Sequence, residues 1–95
     1  MEGMTTQEIF DRVKSVLAAV SQQSGLTSDI IRSDTNLILD LGLTSVTFLE
    51  LAIELESRLP IEEFPLQEYI DQENERGDNG FDVQSLLETC RRLIS

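Results

Sequence analysis

The chain has 95 residues with 18 acidic and 7 basic side chains, for a formal charge of −11, and it contains no histidine, no tryptophan and one cysteine. A chain of this size makes one domain and buries only about 60–65% of its unfolded surface. The charge excludes nucleic acid as the expected partner, since affinity there rests on cations neutralising phosphates, and it favours basic partners instead.

The first element begins at Thr5-Thr6-Gln7-Glu8, a capping-box pattern with Glu8 three positions after Thr5. Ile9, Phe10, Val13, Val16, Leu17 and Val20 then recur at helical spacing, and Ser24-Gly25 suits a helix end, which predicts a helix over 5–23. Over 24–44 the periodicity lapses. Thr27-Ser28-Asp29 before Ile30-Ile31 allows one short helical turn, and Asp34-Thr35-Asn36 has loop chemistry. Leu37, Ile38, Leu39 and Leu41 are too apolar for a solvated linker, so an ordered loop should lay leucines across the core. Long loops of this kind are often functional.

A second helix is expected over 45–59, stopped by Pro60. Tyr69 and Ile70 suggest a short helix over about 65–75, and 76–80 reads as a turn. The last helix, over 82–94, has Asp82 as its cap and Phe81 placed for a hydrophobic staple. Val83, Leu86, Leu87, Cys90, Leu93 and Ile94 form its stripe, with Arg91 and Arg92 in the turn where the dipole favours cations. No stretch alternates as a strand would. The expected fold is all-α, a three-to-four-helix bundle in a single domain over 1–95.

The second helix carries apolar residues in two directions. At about 100° per residue, Phe48, Leu51, Ala52, Leu55 and Leu59 share one face, while Val46, Leu49 and Ile53 cluster roughly opposite. Glu50 and Glu56 flank that second strip. Two arrangements satisfy the pattern: a central helix buried on both sides, or an exposed docking strip rimmed by acids.

Ser45 stands at the start of this helix, after the Gly42 turn. A nucleophile elbow needs glycine two places after the serine, where Thr47 stands, and a Ser-His-Asp triad is impossible without histidine. Serine here would serve as a helix cap. A helix start also offers free N–H groups and partial positive charge, so it welcomes a phosphate.

Asp40-Leu41-Gly42-Leu43-Thr44-Ser45-Val46, followed by Glu50-Leu51, resembles the attachment site of acyl carrier proteins. Helix order, the long loop and the negative charge extend the similarity from about Thr6 to Ile94. The resemblance implies an acyl-carrier-type bundle in which Ser45 receives 4′-phosphopantetheine from coenzyme A. A separate magnesium-dependent phosphopantetheinyl transferase would add the arm, whose thiol carries acyl groups as thioesters. Partners would be acyl-loading and acyl-processing enzymes of fatty-acid, polyketide or related lipid biosynthesis, and the carrier would be a monomer and not itself an enzyme. Carried over by position, Asp40, Glu50, Glu54 and Glu56 become acidic contacts for basic docking patches, and Val46, Leu49 and Ile53 the apolar recognition strip. Phe10, Val13, Leu17, Phe48, Leu51, Leu55, Leu86 and Leu87 become a core able to shelter a chain. Many members have aspartate before the serine and leucine after it, so Thr44 and Val46 depart from the pattern at two partner-facing positions. The segment 66–80 is longer and more polar than the third helix of a housekeeping carrier, which points to a specialised pathway.

Two rival readings compete with this one. Asp71 to Asp82 places acids at positions one, three, five and twelve of a calcium loop, but Arg76 stands where glycine is required. An acidic helical adaptor with an unmodified Ser45 is the other. Cys90, on the apolar face of the last helix, reads as a buried structural thiol. Residues 1–4 lack the features of a signal peptide and no apolar run reaches about 18 residues, so a cytoplasmic protein without a membrane span is expected.

Overall fold

The computed structural model describes residues 4–21, 27–77 and 80–94. Helix α1, Thr6–Val20, opens with the expected reciprocal box: the Glu8 N–H donates to Thr5 Oγ1 at 3.1 Å and the Thr5 N–H to Glu8 Oε1 at 2.9 Å. It ends with the apolar stripe at Val20, short of the expected 5–23. Ser21 turns extended at φ −67°, ψ 143°, and its hydroxyl donates to the Leu41 carbonyl at 3.2 Å. The expected Ser24-Gly25 stop lies outside the described residues. Ile9, Val13, Val16, Leu17 and Val20 are buried. Phe10, expected in the core, only packs against it, and Lys14 Nζ lies 4.6 Å from its ring centroid.

The connection to the next helix holds a 3-10 turn at Ser28–Ile30 and then folds over the core. Ile31, Leu37, Leu41 and Leu43 are buried, whereas Ile38 and Leu39 face outward. Asn36 organises this stretch, its Oδ1 accepting the Ile38 and Leu39 N–H groups at 2.8 and 2.7 Å. Backbone bonds attach the loop to the start of the last helix: Leu37 N–H to Phe81 O at 2.7 Å, Val83 N–H to Thr35 O at 3.0 Å, Gln84 N–H to Ser33 O at 2.9 Å. An apolar loop with its polar backbone paired in this way can be ordered without being helical.

Helix α2, Ser45–Arg58, ends at Leu59 before Pro60. Its buried face is the anticipated one, with Phe48, Leu51, Ala52, Leu55 and Leu59 inside together with Thr47. Helix α3, Leu66–Arg76, closes at Gly77, whose φ of 68° is a left-handed value that favours glycine. This helix runs through the first six positions of the considered calcium loop, so those residues do not form one. Helix α4, Val83–Ile94, is capped by Asp82, whose Oδ1 accepts the Ser85 N–H at 2.9 Å. Val83, Leu86, Leu87 and Cys90 are buried, and Leu93 and Ile94 are half-buried. α1 packs against α2 and α4, and α2 against α3. The fold is an all-α bundle, and among the described residues there is no strand beyond an isolated Asn36–Asp82 bridge.

Candidate functional site

The long loop and α2 meet at one exposed corner. Gly42 adopts φ 70° there, and its N–H donates to the Ile38 carbonyl at 3.1 Å. This left-handed residue reverses the chain between Leu41 and Leu43, both buried anchors, so α2 begins at a fixed height above the core. Ser45 follows as the first residue of α2 and is exposed.

Thr44, not Ser45, caps the helix. The Thr44 N–H donates to Thr47 Oγ1 at 2.6 Å, Thr47 Oγ1 donates to the Thr44 carbonyl at 3.0 Å, and the Thr47 N–H faces Thr44 Oγ1 at a long 3.4 Å. With threonine rather than glutamate at the third position the box is compact, and Thr47 is buried within it. Two adjacent residues of good capping chemistry could not be ranked from sequence, and a threonine partner for Thr44 gave no warning. As a result the Ser45 hydroxyl has no hydrogen bond to any described residue. The first turn of α2 contains no carboxylate, so its partial positive charge is not neutralised locally. The Phe48 N–H is the first to enter the helical ladder, donating to Thr44 O at 2.8 Å, and with the Thr47 N–H turned to Thr44 Oγ1 the Ser45 and Val46 amides have no acceptor among the described residues.

The strip expected opposite the core face is open to solvent. Val46 is 68% exposed, Leu49 56% and Ile53 60%, which decides between the two arrangements that the apolar pattern allowed. Glu50 is exposed beside the strip. Ile53, Glu50, Glu54, Arg58 and the end of α1 line a shallow groove of about 300 Å³. Glu54 is half-buried and paired with Arg58 at 3.1 Å, a partly exposed bond of modest strength. Glu56 stands apart from these: it is half-buried, and its Oε2 accepts the Phe64 N–H at 2.9 Å, tying α2 to the segment before α3. Asp40 is exposed near the Gly42 turn, and its Oδ2 accepts the Asn36 N–H at 2.8 Å. Asp40, Thr44 and Ser45 thus stand at the turn and the start of α2, Val46, Leu49, Glu50 and Ile53 follow along its exposed side, and Glu56 serves the opposite end of the helix.

Glu73 enters the sequence reasoning only as the third position of the considered calcium loop, which misses its buried role. It is buried on α3, and its Oε1 accepts the Phe81 N–H at 2.8 Å and Arg76 Nη1 at 2.8 Å. A glutamate in a polar helix gives no sign of burial, and only the return of the chain at Gly80-Phe81 creates its partner. Burial pushes the Cys90 thiol up to about 12, in keeping with an inert structural cysteine. The described residues contain no group of side chains suited to a metal ion, and no helix among them is long and apolar enough to cross a membrane.

A family model described as the phosphopantetheine attachment site matches residues 14–74, which include the Gly42 turn, Ser45 and the whole of α2 and its exposed strip. No curated protein and no solved structure matches the chain.

Proposed function

The chain belongs to the phosphopantetheine attachment-site family, a phosphopantetheine carrier, and on that footing we propose that Ser45 is the attached residue. The observation that carries this reading is the division of labour at the α2 start: Thr44 holds the cap, so the Ser45 hydroxyl is exposed and makes no hydrogen bond to any of the described residues. A phosphodiester fits there, because the first-turn amides and an uncompensated dipole favour negative charge. When bound, the arm supplies a terminal thiol that holds acyl groups as thioesters.

The residues of the chain itself perform presentation. Loop and cap fix the position of Ser45, and the strip of Val46, Leu49 and Ile53 gives a partner an apolar surface beside it. Asp40 and Glu50 flank that surface and favour basic docking patches, with an attraction that weakens as salt is raised. Glu54 contributes in competition with its Arg58 pair, while Glu56 acts from the far end of α2 and stabilises the fold as well. We assign the cargo to a fatty-acid, polyketide or related lipid pathway, with the chain acting as a non-enzymatic, cytoplasmic, monomeric domain.

Intact mass after incubation with a broad-specificity phosphopantetheinyl transferase, coenzyme A and magnesium tests the attachment. The wild-type chain should gain one phosphopantetheine and Ser45→Ala none. An unchanged wild-type mass with several transferases would favour the unmodified adaptor. Leu49→Asp should slow transfer by raising KM while leaving thermal stability close to wild type; equal kinetics would remove the strip from the docking surface.

A further inference from the structure

In the first turn of α2, Ser45 and Val46 face outward, whereas Thr47 and Phe48 face the core. A buried hydroxyl needs partners, and Thr47 takes both of its own from one residue. Its Oγ1 accepts the Thr44 N–H at 2.6 Å and donates to the Thr44 carbonyl at 3.0 Å. The other half of the box is slack, since Thr44 Oγ1 lies 3.4 Å from both the Thr47 nitrogen and Thr47 Oγ1. The short bonds that hold Thr44 extended, at φ −114° and ψ 178°, are therefore those of the Thr47 hydroxyl. The residue before Thr44 is fixed as well: Leu43 is buried and its N–H donates to Leu37 O at 3.0 Å.

Two helix starts are open to the same residues. In the observed one Thr44 is the cap. In its competitor the helix would begin one residue later with Ser45 as the cap, and Ser45 Oγ would accept the Phe48 N–H, which in the structure donates to Thr44 O at 2.8 Å. Serine is at least as good a cap as threonine, so residues 44 and 45 do not by themselves favour the earlier start. The third helical position decides. Thr47 offers a hydroxyl to the Thr44 backbone, whereas Phe48, at the same place in the later start, offers none to Ser45.

We infer that Thr47 is a positioning residue for the modification: its buried hydroxyl fixes the α2 start at Thr44 and so keeps the Ser45 oxygen out of the helix backbone and open to a transferase. The inference rests on the carrier reading of Ser45. In the transfer the Ser45 oxygen bonds to the phosphorus on the pantetheine side of coenzyme A, and the phosphoanhydride bond breaks. Adenosine 3′,5′-bisphosphate leaves with the electron pair, and the hydroxyl proton passes to a base outside this chain. A serine engaged as a cap would have its oxygen turned to the Phe48 amide instead. Thr47 is buried, so it acts through Ser45 and not by touching the transferase.

The test compares Thr47→Val, which keeps the shape and loses the hydroxyl, with Thr47→Ser, which keeps the hydroxyl. Steady-state transfer from coenzyme A by a broad-specificity phosphopantetheinyl transferase with magnesium is measured where circular dichroism shows each protein folded. Loss of a cap shifts a balance of this kind by about 5- to 30-fold, and a partly populated competent start raises KM in proportion. Thr47→Val should therefore raise KM by about 3-fold or more with kcat unchanged, and Thr47→Ser should stay within about 2-fold of wild type. Asp82→Ala, which removes the α4 cap and destabilises the fold comparably, should keep the wild-type KM. Carbon-13 shifts supply a readout that needs no transferase: Ser45 Cα should be helical in wild type and Thr47→Ser, and move toward extended in Thr47→Val. Thr47→Ala, with a better helix former, repeats the comparison should Thr47→Val not fold. A wild-type KM or a helical Ser45 in Thr47→Val would overturn the inference, as would an equal rise in KM for Asp82→Ala. A wild-type chain that gains no phosphopantetheine would overturn the carrier reading and the role in modification with it, and the Ser45 shift would then report on the helix start alone.

Discussion

Replacing Glu73 probes the corner between α3 and α4 more sharply than any core truncation. The carboxylate is only 2% exposed, and a single oxygen serves both the Phe81 N–H and Arg76. Glu73→Ala strands a buried backbone donor, at about 1–3 kcal/mol. It also removes buried methylene surface, worth about 1 kcal/mol. The ion pair adds about 0–1 kcal/mol at most, because the Arg76 side chain is 40% exposed and keeps Asp82 at 3.7 Å. The expected loss is about 2–5 kcal/mol, or on the order of 10–30 °C in midpoint for a domain of this length. Glu73→Gln keeps an oxygen for Phe81 and should lose about 1 kcal/mol, the difference between charged and neutral hydrogen bonds. Urea denaturation followed by circular dichroism would rank the three proteins at a shared m-value. An alanine variant within about 0.5 kcal/mol of wild type would refute the reasoning. A glutamine variant as unstable as alanine would also refute it, since charge rather than an acceptor for Phe81 would then be what matters.

Cap and handle should separate in the same denaturation assay. Thr44→Ala should cost about 1 kcal/mol and Ser45→Ala within about 0.5 kcal/mol of zero; a larger loss for Ser45→Ala would return the cap to the serine. Alkaline stability offers an independent check. The folded Cys90 thiol is pushed by burial from its ordinary 9.0 up to about 12, and burial also raises the Tyr69 hydroxyl. Above pH 9 the unfolded chain releases the Cys90 proton while the folded chain keeps it. Stability is therefore fully present below pH 9 and falls as pH rises toward 12, by up to about 1.4 kcal/mol per pH unit. Cys90→Ala should flatten the slope between pH 9 and 10 in urea titrations at each pH, and an unchanged slope would show that the thiol is not the group responsible.

Much of this molecule was legible in its residues, and the reasons are local. Capping chemistry at Thr5-Glu8 and Asp82, Pro60, and the apolar spacing of each helix are short-range signals, so helix order and the position of Ser45 followed from them. Spacing also separated two strips on α2, since angular position depends only on residue number. Which strip is covered depends on what packs there, and the tertiary structure alone assigned Phe48, Leu51 and Leu55 to the core and Val46, Leu49 and Ile53 to solvent. The same holds for α1, which ends at Val20 because Ser21 reaches across to the Leu41 carbonyl, a contact between residues far apart in the chain. Thr44 and Ser45 are equally plausible caps in one dimension, and three-dimensional placement of Thr47 chose between them. Glu73 and Phe81 acquire their roles only when the chain turns back at Gly80, because a buried polar group is defined by partners that sequence distance conceals.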